Sequence, residues 1–131
     1  MEVETVADLL ARFVRVADAG IGIDVEAADR FMTSDQRIFT ADELAYCAKQ
    51  SNPPESRAGR WCAKEAVSKA CSKFLQLTLR EIEICTDHSG RPFVVLPVRA
   101  AKLGLNAEVS ISHACGVAVA VAVAVTTSSV S

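Results

Sequence analysis

The chain has 131 residues, half of them hydrophobic and 23% charged, with a formal net charge of −2 at neutral pH. That length suits one domain with its own core, spanning residues 1–131, and the composition excludes disorder as a general description. The near-balanced charge gives no global pull toward nucleic acid or an anionic membrane, so any anion site has to be a local cluster.

Residues 3–17 carry Val6, Leu9, Leu10, Phe13 and Val14 at helical spacing with Arg12 and Arg15 between them, which predicts an amphipathic first helix within a helical N-terminal extension of residues 1–18. The acidic start has no apolar run behind it and argues against a secretory signal. Ala19 to Val25 then reads as a short strand interrupted by two glycines, and Glu26 to Met32 as the helix after it. Thr40 precedes Glu43 by the spacing of a capping box, predicting a helix from Ala41 to Ala48. Ser51-Asn52-Pro53-Pro54 ends it in a loop, and a long helix is expected from Ser56 to Phe74.

Glu81–Thr86 and Pro92–Leu96, joined by Asp87-His88-Ser89-Gly90, read as a hairpin. A short helix over Ala100–Leu105 leads to two last strands, Glu108–Ser112 and Val117–Val125, with a turn at His113-Ala114-Cys115-Gly116. The last strand alternates valine and alanine, so its two faces differ: valines for the protein's own core and alanines flat enough for close approach by a helix or another subunit. Residues 126–131 are a polar tail. The longest apolar run, Val117 to Val125, is far short of the roughly 20 residues that cross a bilayer. The five cysteines, Cys47, Cys62, Cys71, Cys85 and Cys115, are odd in number and contain no C-x-x-C pair. Neither a disulfide framework nor a zinc site is supported, and a cytoplasmic setting is expected.

Three segments carry candidate chemistry. In the long helix, Glu65 falls in the middle of a stripe of Ala58, Trp61, Cys62 and Ala66, with Lys69 one turn on, while Arg57, Arg60 and Lys64 form a separate basic face. A carboxylate on a core-facing stripe needs a partner, and an i,i+4 pair with Lys69 is the plain choice. In Gly20-Ile21-Gly22-Ile23-Asp24-Val25-Glu26 the acids are two apart, so both project to one side if the strand continues. Asp24 taken alone reads first as a helix N-cap and second as a metal ligand. Val109-Ser110-Ile111-Ser112-His113 is an alternating strand ending in a histidine, which at such a place is most often structural.

Taken together and in this order, Gly20-Ile21-Gly22-Ile23-Asp24, Ala58-Gly59-Arg60-Trp61-x-Ala63-Lys64-Glu65-Ala66-x-x-Lys69-Ala70 and Val109-Ser110-Ile111-Ser112-His113 resemble holo-acyl-carrier-protein synthase, the small 4′-phosphopantetheinyl transferase family. The resemblance extends from Ala19 to Val125. Phe39-Thr40-x-x-Glu43-Leu44-x-Tyr46-Cys47 and the Arg60-Trp61 pair are most similar to the transferases of, or serving, type I fatty acid synthases.

The resemblance implies an α+β fold, a small antiparallel sheet packed against a long helix, assembled as a homotrimer with the site between protomers. It implies transfer of 4′-phosphopantetheine from coenzyme A to a serine of an apo acyl carrier protein or a synthase carrier domain, releasing adenosine 3′,5′-bisphosphate. Magnesium is assigned to Asp24 and Glu65, with Glu26 as a third acid. Lys69 lies near the pyrophosphate, Arg60 and Lys64 serve the nucleotide phosphates, and Ser110, Ser112 and His113 border the pocket, with Glu65, Lys69 and His113 as the catalytic set. Arg30 grips the carrier protein. Three departures from the family pattern stand out: the glycine-free segment 71–77, Ala114 after the histidine, and the N-terminal extension. A non-catalytic coenzyme A-binding module and a magnesium-dependent hydrolase are the alternative classes.

Overall fold

The computed structural model describes Thr5 and residues 14–31, 33 and 35–129. Strand β1 (Val14–Ala27) is followed by one 3-10 turn (Ala28–Phe31), helix α1 (Ala41–Ala48), the long helix α2 (Pro53–Cys71) and a second 3-10 turn (Leu79–Glu81). Strands β2 (Glu83–Thr86) and β3 (Pro92–Val95), the short helix α3 (Val98–Ala101), β4 (Leu105–Ala114) and β5 (Val117–Ser129) complete the chain. β1, β5 and β4 form one antiparallel sheet in that spatial order, with β5 in the centre, and β2–β3 form a separate hairpin. The expected α+β architecture is thus present.

The fold depends on how closely α2 lies on the three-stranded sheet. Gly20 and Gly22 of β1 stand opposite Ala124 and Ala122 of β5. Successive side chains alternate between faces, so a floor of glycines and of Ala118, Ala120, Ala122 and Ala124 faces the helix. A Cβ at Gly20 would lie 2.1 Å from the Ala70 carbonyl oxygen, and one at Gly22 would lie 2.0 Å from that of Ala66. Strand and helix backbones are therefore in direct contact, which only glycine permits. Cys62, Ala63, Ala66, Val67, Ala70 and Cys71 of α2 complete this core with the four alanines.

The alanine face takes the close helix that was one of its two expected neighbours, and the valine face, expected to fill the core, does not. The alanines are buried under α2 and the valines are the open face: Val117, Val121 and Val123 are at least 40% exposed. Ile21, Ile23 and Val25 continue that face onto β1. Small side chains are needed beneath a helix that approaches this closely, and valine would hold it off.

Several element boundaries also move. The proposed first helix loses residues 14–17 to β1, where Val14 pairs with Ser129. Apart from Thr5, which is in neither helix nor strand, the rest of that expectation lies outside the described residues. The helix expected over Glu26–Met32 is only a 3-10 turn, because β5 keeps pairing through Ala27 and the Gly116 carbonyl then accepts from Ala28 N at 2.8 Å. α2 begins at Pro53 because Asn52 caps Glu55 N and proline at the first helical position lacks an N–H that the first turn would leave unused. It ends at Cys71, whose carbonyl accepts from Phe74 N in the following turn.

The short helix starts at Val98, after Pro97, and ends before Gly104, which takes a left-handed φ of 64°. Part of the polar tail is strand, since β5 runs to Ser129. The capping box of α1 and the β2–β3 hairpin form as expected. In the hairpin turn Asp87 Oδ1 accepts from Ser89 N and Arg91 N.

Replacing Gly22 with alanine places the new Cβ against backbone atoms, 2.0 Å from the Ala66 oxygen and 2.9 Å from the Ala70 nitrogen. Neither neighbour can swing away, so Gly22→Ala is expected to lower the unfolding free energy by about 3 kcal/mol or more. A urea midpoint near the wild-type value would disprove the backbone contact.

Candidate active site

The contact between β1 and α2 brings three acids into one field. β1 continues past Asp24, so Asp24 and Glu26 both point to the helix side, opposite Ala120 and Ala118. Lys69 reaches back from α2 and donates to the Ile23 carbonyl at 2.9 Å and to Asp24 Oδ1 at 3.3 Å. One turn on, Lys73 repeats the arrangement with the Ala19 carbonyl at 2.7 Å and Asp18 Oδ1 at 2.8 Å. The two lysines clamp β1 to the C-terminal end of α2 and to the turn that follows it.

Asp24 keeps one oxygen, Oδ2, buried without a hydrogen-bond partner. Burial raises the Glu65 carboxyl above its usual value, the negative charge of Asp24 raises it further, Lys69 opposes this and Glu26 adds to it. Cys62 lies in the same field. Burial and then the Asp24 charge push its thiol up to about 12, and its Sγ donates to the Ala118 carbonyl at 3.4 Å. It therefore stays protonated, behaving as an apolar neighbour of the carboxylates. Glu26 is ion-paired with Arg30 across one turn, and the Arg30 side chain remains 60% exposed.

The set fits a hard divalent cation. Among the described residues no three acids, histidines or cysteines converge as an all-protein metal cage. Magnesium does not need one, since it takes one or two carboxylates and fills the remaining positions with phosphate oxygens and water. The orphaned Asp24 oxygen and the strained ionisation of Glu65 are what such a cation would relieve.

The basic face of α2 is not a surface. Arg57 is 9% exposed, Arg60 5% and Lys64 fully buried. Lys64 Nζ donates to Glu43 Oε1 at 2.8 Å, the Leu79 carbonyl at 2.8 Å and the Ile82 carbonyl at 2.6 Å. An ammonium has three donors and all three are committed, so Lys64 is removed from the phosphate-binding set. Burial lowers its pKa, and Glu43 opposes that shift. Glu43 also accepts from Thr40 N at 2.8 Å and Ile84 N at 2.9 Å. Glu43 and Lys64 thus hold α1, α2 and β2 together. No spacing in the sequence pairs these two residues.

Arg57 Nε donates to the Phe31 carbonyl at 2.8 Å. Arg60 stacks at 4.2 Å over the Tyr46 ring and donates to Thr86 Oγ1, while its Nε is buried with no partner. It lines a cavity of about 210 Å³ with Asp42, Tyr46, Glu83, Cys85 and Thr86. Five positions separate Arg60 from Glu65, placing it about 140° round the helix, away from the acids.

The β4 residues divide by parity. Ser110 and Ser112 stand opposite Val121 and Val119, on the open face of the sheet. His113 stands opposite Ala118 on the helix side. There its Nε2 lies only 2.4 Å from where a Cβ on Gly59 would sit. Within one protomer the serines are therefore not beside the acids.

Comparison with known proteins identifies the class to which this arrangement belongs. The family model of the 4′-phosphopantetheinyl transferase superfamily matches residues 20–124, and the chain belongs to that superfamily. Holo-(acyl-carrier-protein) synthase of Caldicellulosiruptor bescii is 44% identical over 109 residues, covering 75% of this chain and 90% of that protein. The fatty acid synthase subunit alpha of Schizosaccharomyces pombe is 39% identical over 109 residues, 74% of this chain, and the match spans only 6% of that subunit.

Among solved structures, the acyl carrier protein synthase of Mycobacterium tuberculosis superposes with a TM-score of 0.65 at 38% identity, covering 80% of this chain and 95% of that one. The coenzyme A complex of the Chronobacterium ammoniagenes synthase gives 0.70 at 26% identity, covering 83% and 98%.

Lys64→Ala leaves the Glu43 carboxylate buried and unpaired, which costs about 3–5 kcal/mol. The expected outcome is a lowered thermal midpoint, with ligand affinity of the remaining folded protein little changed. A selective loss of nucleotide binding at wild-type stability would restore Lys64 to the phosphate-binding set.

Proposed function

We propose that this chain transfers the 4′-phosphopantetheine group of coenzyme A to a serine hydroxyl of an apo acyl carrier protein or carrier domain, in support of fatty acid biosynthesis. The observation that carries the reading is the buried, unpartnered Oδ2 of Asp24 beside a Glu65 whose ionisation burial, and then the Asp24 charge, disfavours. In this reading Asp24 and Glu65 hold magnesium, and Glu26, ion-paired with Arg30, adds negative charge beside them. The ion supplies charge neutralisation at the pyrophosphate of coenzyme A.

In the reaction, the carrier serine oxygen bonds to the β-phosphorus. The bond from that phosphorus to the bridging oxygen breaks, and the bridging oxygen leaves with its electron pair on adenosine 3′,5′-bisphosphate. Glu65, directly or through an intervening water, accepts the serine proton. Lys69, 3.3 Å from Asp24 and half exposed, stabilises the leaving oxygen's charge. His113 contacts the coenzyme at the pocket edge. Arg60 serves the nucleotide phosphates from the cavity beside Tyr46, and exposed Arg30 receives the acidic carrier.

The assembly is a homotrimer formed through the open sheet face. Ile21 and Ile23 are 73% and 62% exposed and adjoin Val121 and Val123, a run of exposed apolar side chains of the kind that marks a protein–protein contact. Ser110 and Ser112 lie on this same face, so in the trimer they complete a neighbouring protomer's pocket. Among the described residues no helix is long and apolar enough to cross a membrane. Free cysteines and a coenzyme A substrate support a cytoplasmic setting.

Incubation with coenzyme A, magnesium and apo carriers should add the phosphopantetheine mass to one of them. Asp24→Ala and Glu65→Ala should each lower turnover by about a hundredfold or more while retaining the wild-type circular dichroism spectrum. Near-normal turnover of either variant, or full activity in excess chelator, would refute the metal assignment.

Light scattering tests the assembly. Val121→Glu should give monomers and lose transfer together, whereas Ala120→Glu should unfold the protomer. A wild-type protein fully active as a monomer would overturn the trimer.

A further inference from the structure

Helix α2 contains one residue whose choice runs against helix formation. Gly59 is buried in the second turn, where alanine would be the better helix former. Its surroundings explain the choice. A Cβ there would lie 2.4 Å from His113 Nε2, 3.3 Å from His113 Cδ2 and 3.3 Å from Ile111 Cγ2. The first distance is far inside van der Waals contact, and the second and third are only slightly tight. Unlike Gly20 and Gly22, which face helix backbone, Gly59 faces the far end of one movable side chain.

We propose that Gly59 is the seat of the His113 imidazole, a positioning residue that lets the Nε2 edge of the ring lie directly on the α2 backbone and so fixes the ring, whose outward edge contacts the coenzyme. The inference rests on the transferase reading for what the ring does, but not for where it sits. His113 is exposed apart from this contact, so with a methyl group beneath it the ring is free to swing outward. The penalty therefore falls on the placement of the imidazole and not on the packing of α2. Displacement by an ångström at a reacting or binding group costs about a hundredfold in rate. The sheet register supports this use. His113 and Glu26 both stand opposite Ala118, on the helix side of the sheet, and Gly59 is about 9 Å along the α2 axis from Glu65.

The test uses the two histidines of the chain, His88 and His113. His88 is exposed in the β2–β3 turn and serves as an internal reference. In Gly59→Ala the imidazole ¹⁵N resonances of His113 should move while those of His88 stay. The thermal midpoint should be no lower than wild type, and kcat/KM for coenzyme A should fall by about ten- to a hundredfold. In a His113→Ala background the same substitution should cost nothing further, because the group it displaces is gone.

Unchanged His113 resonances in Gly59→Ala, or an equal loss in both backgrounds, would overturn the seat. Should Gly59→Ala fail to fold, the Gly59→Ala/His113→Ala protein decides: folding of the double variant upholds the contact, and its failure to fold overturns it. Full turnover by His113→Ala alone would instead refute the role of the ring in transfer, leaving the resonance shift to report on the seat by itself.

Discussion

Direct backbone contact between β1 and α2 is the constraint on which the rest of the molecule depends. Gly20 and Gly22 let the carbonyls of Ala70 and Ala66 come within a distance that any Cβ would forbid. The alanines of β5 extend the same low surface sideways. Only at this separation do Lys69 and Lys73 reach the carbonyls of Ile23 and Ala19. In this contact burial, and then the charge of Asp24, disfavour the ionisation of Glu65. Packing and electrostatics at this site have one cause, the absence of side chains from a short stretch of strand.

Much of this arrangement was legible in the amino-acid order. The capping box, the hairpin turn and the carboxylate on the buried stripe of the long helix are local signals, written within a few residues and set by periods of 3.6 and 2. The paired acids were legible for the same reason, since a strand that continues must place alternate residues on one side. What could not be read was which surface covers which. The alternation in β5 announces two unlike faces, but choosing the alanines as the buried ones requires knowing how near the helix comes, and that is decided by glycines about a hundred positions earlier in the chain.

The basic face of α2 shows the same limit from another side. Arg57, Arg60 and Lys64 have the spacing of an exposed cationic ridge, and the fold buries all three. Their partners lie on other elements: the Phe31 carbonyl, the Tyr46 ring with Thr86, and Glu43. A charged stripe is legible as a stripe, yet its partners are non-local. The serines and histidine of β4 add a smaller example, since one motif spanning adjacent positions of a strand must serve both faces of the sheet. If the open face joins protomers, β4 contributes to two pockets at once.

The buried pair of Lys64 and Glu43 acts on the acid beside it. Adjacent residues on a helix are separated by a fixed turn of about 100°, so anchoring one side chain sets the angular phase of the next. Lys64 is held by three acceptors on the second 3-10 turn, the residue that precedes β2, and α1. α2 therefore cannot roll on its bed of small residues, although a floor of glycine and alanine offers little resistance to rolling. Together with the Lys69 and Lys73 clamps, the ion pair works as a rotational stop that fixes the angle at which Glu65 meets Asp24.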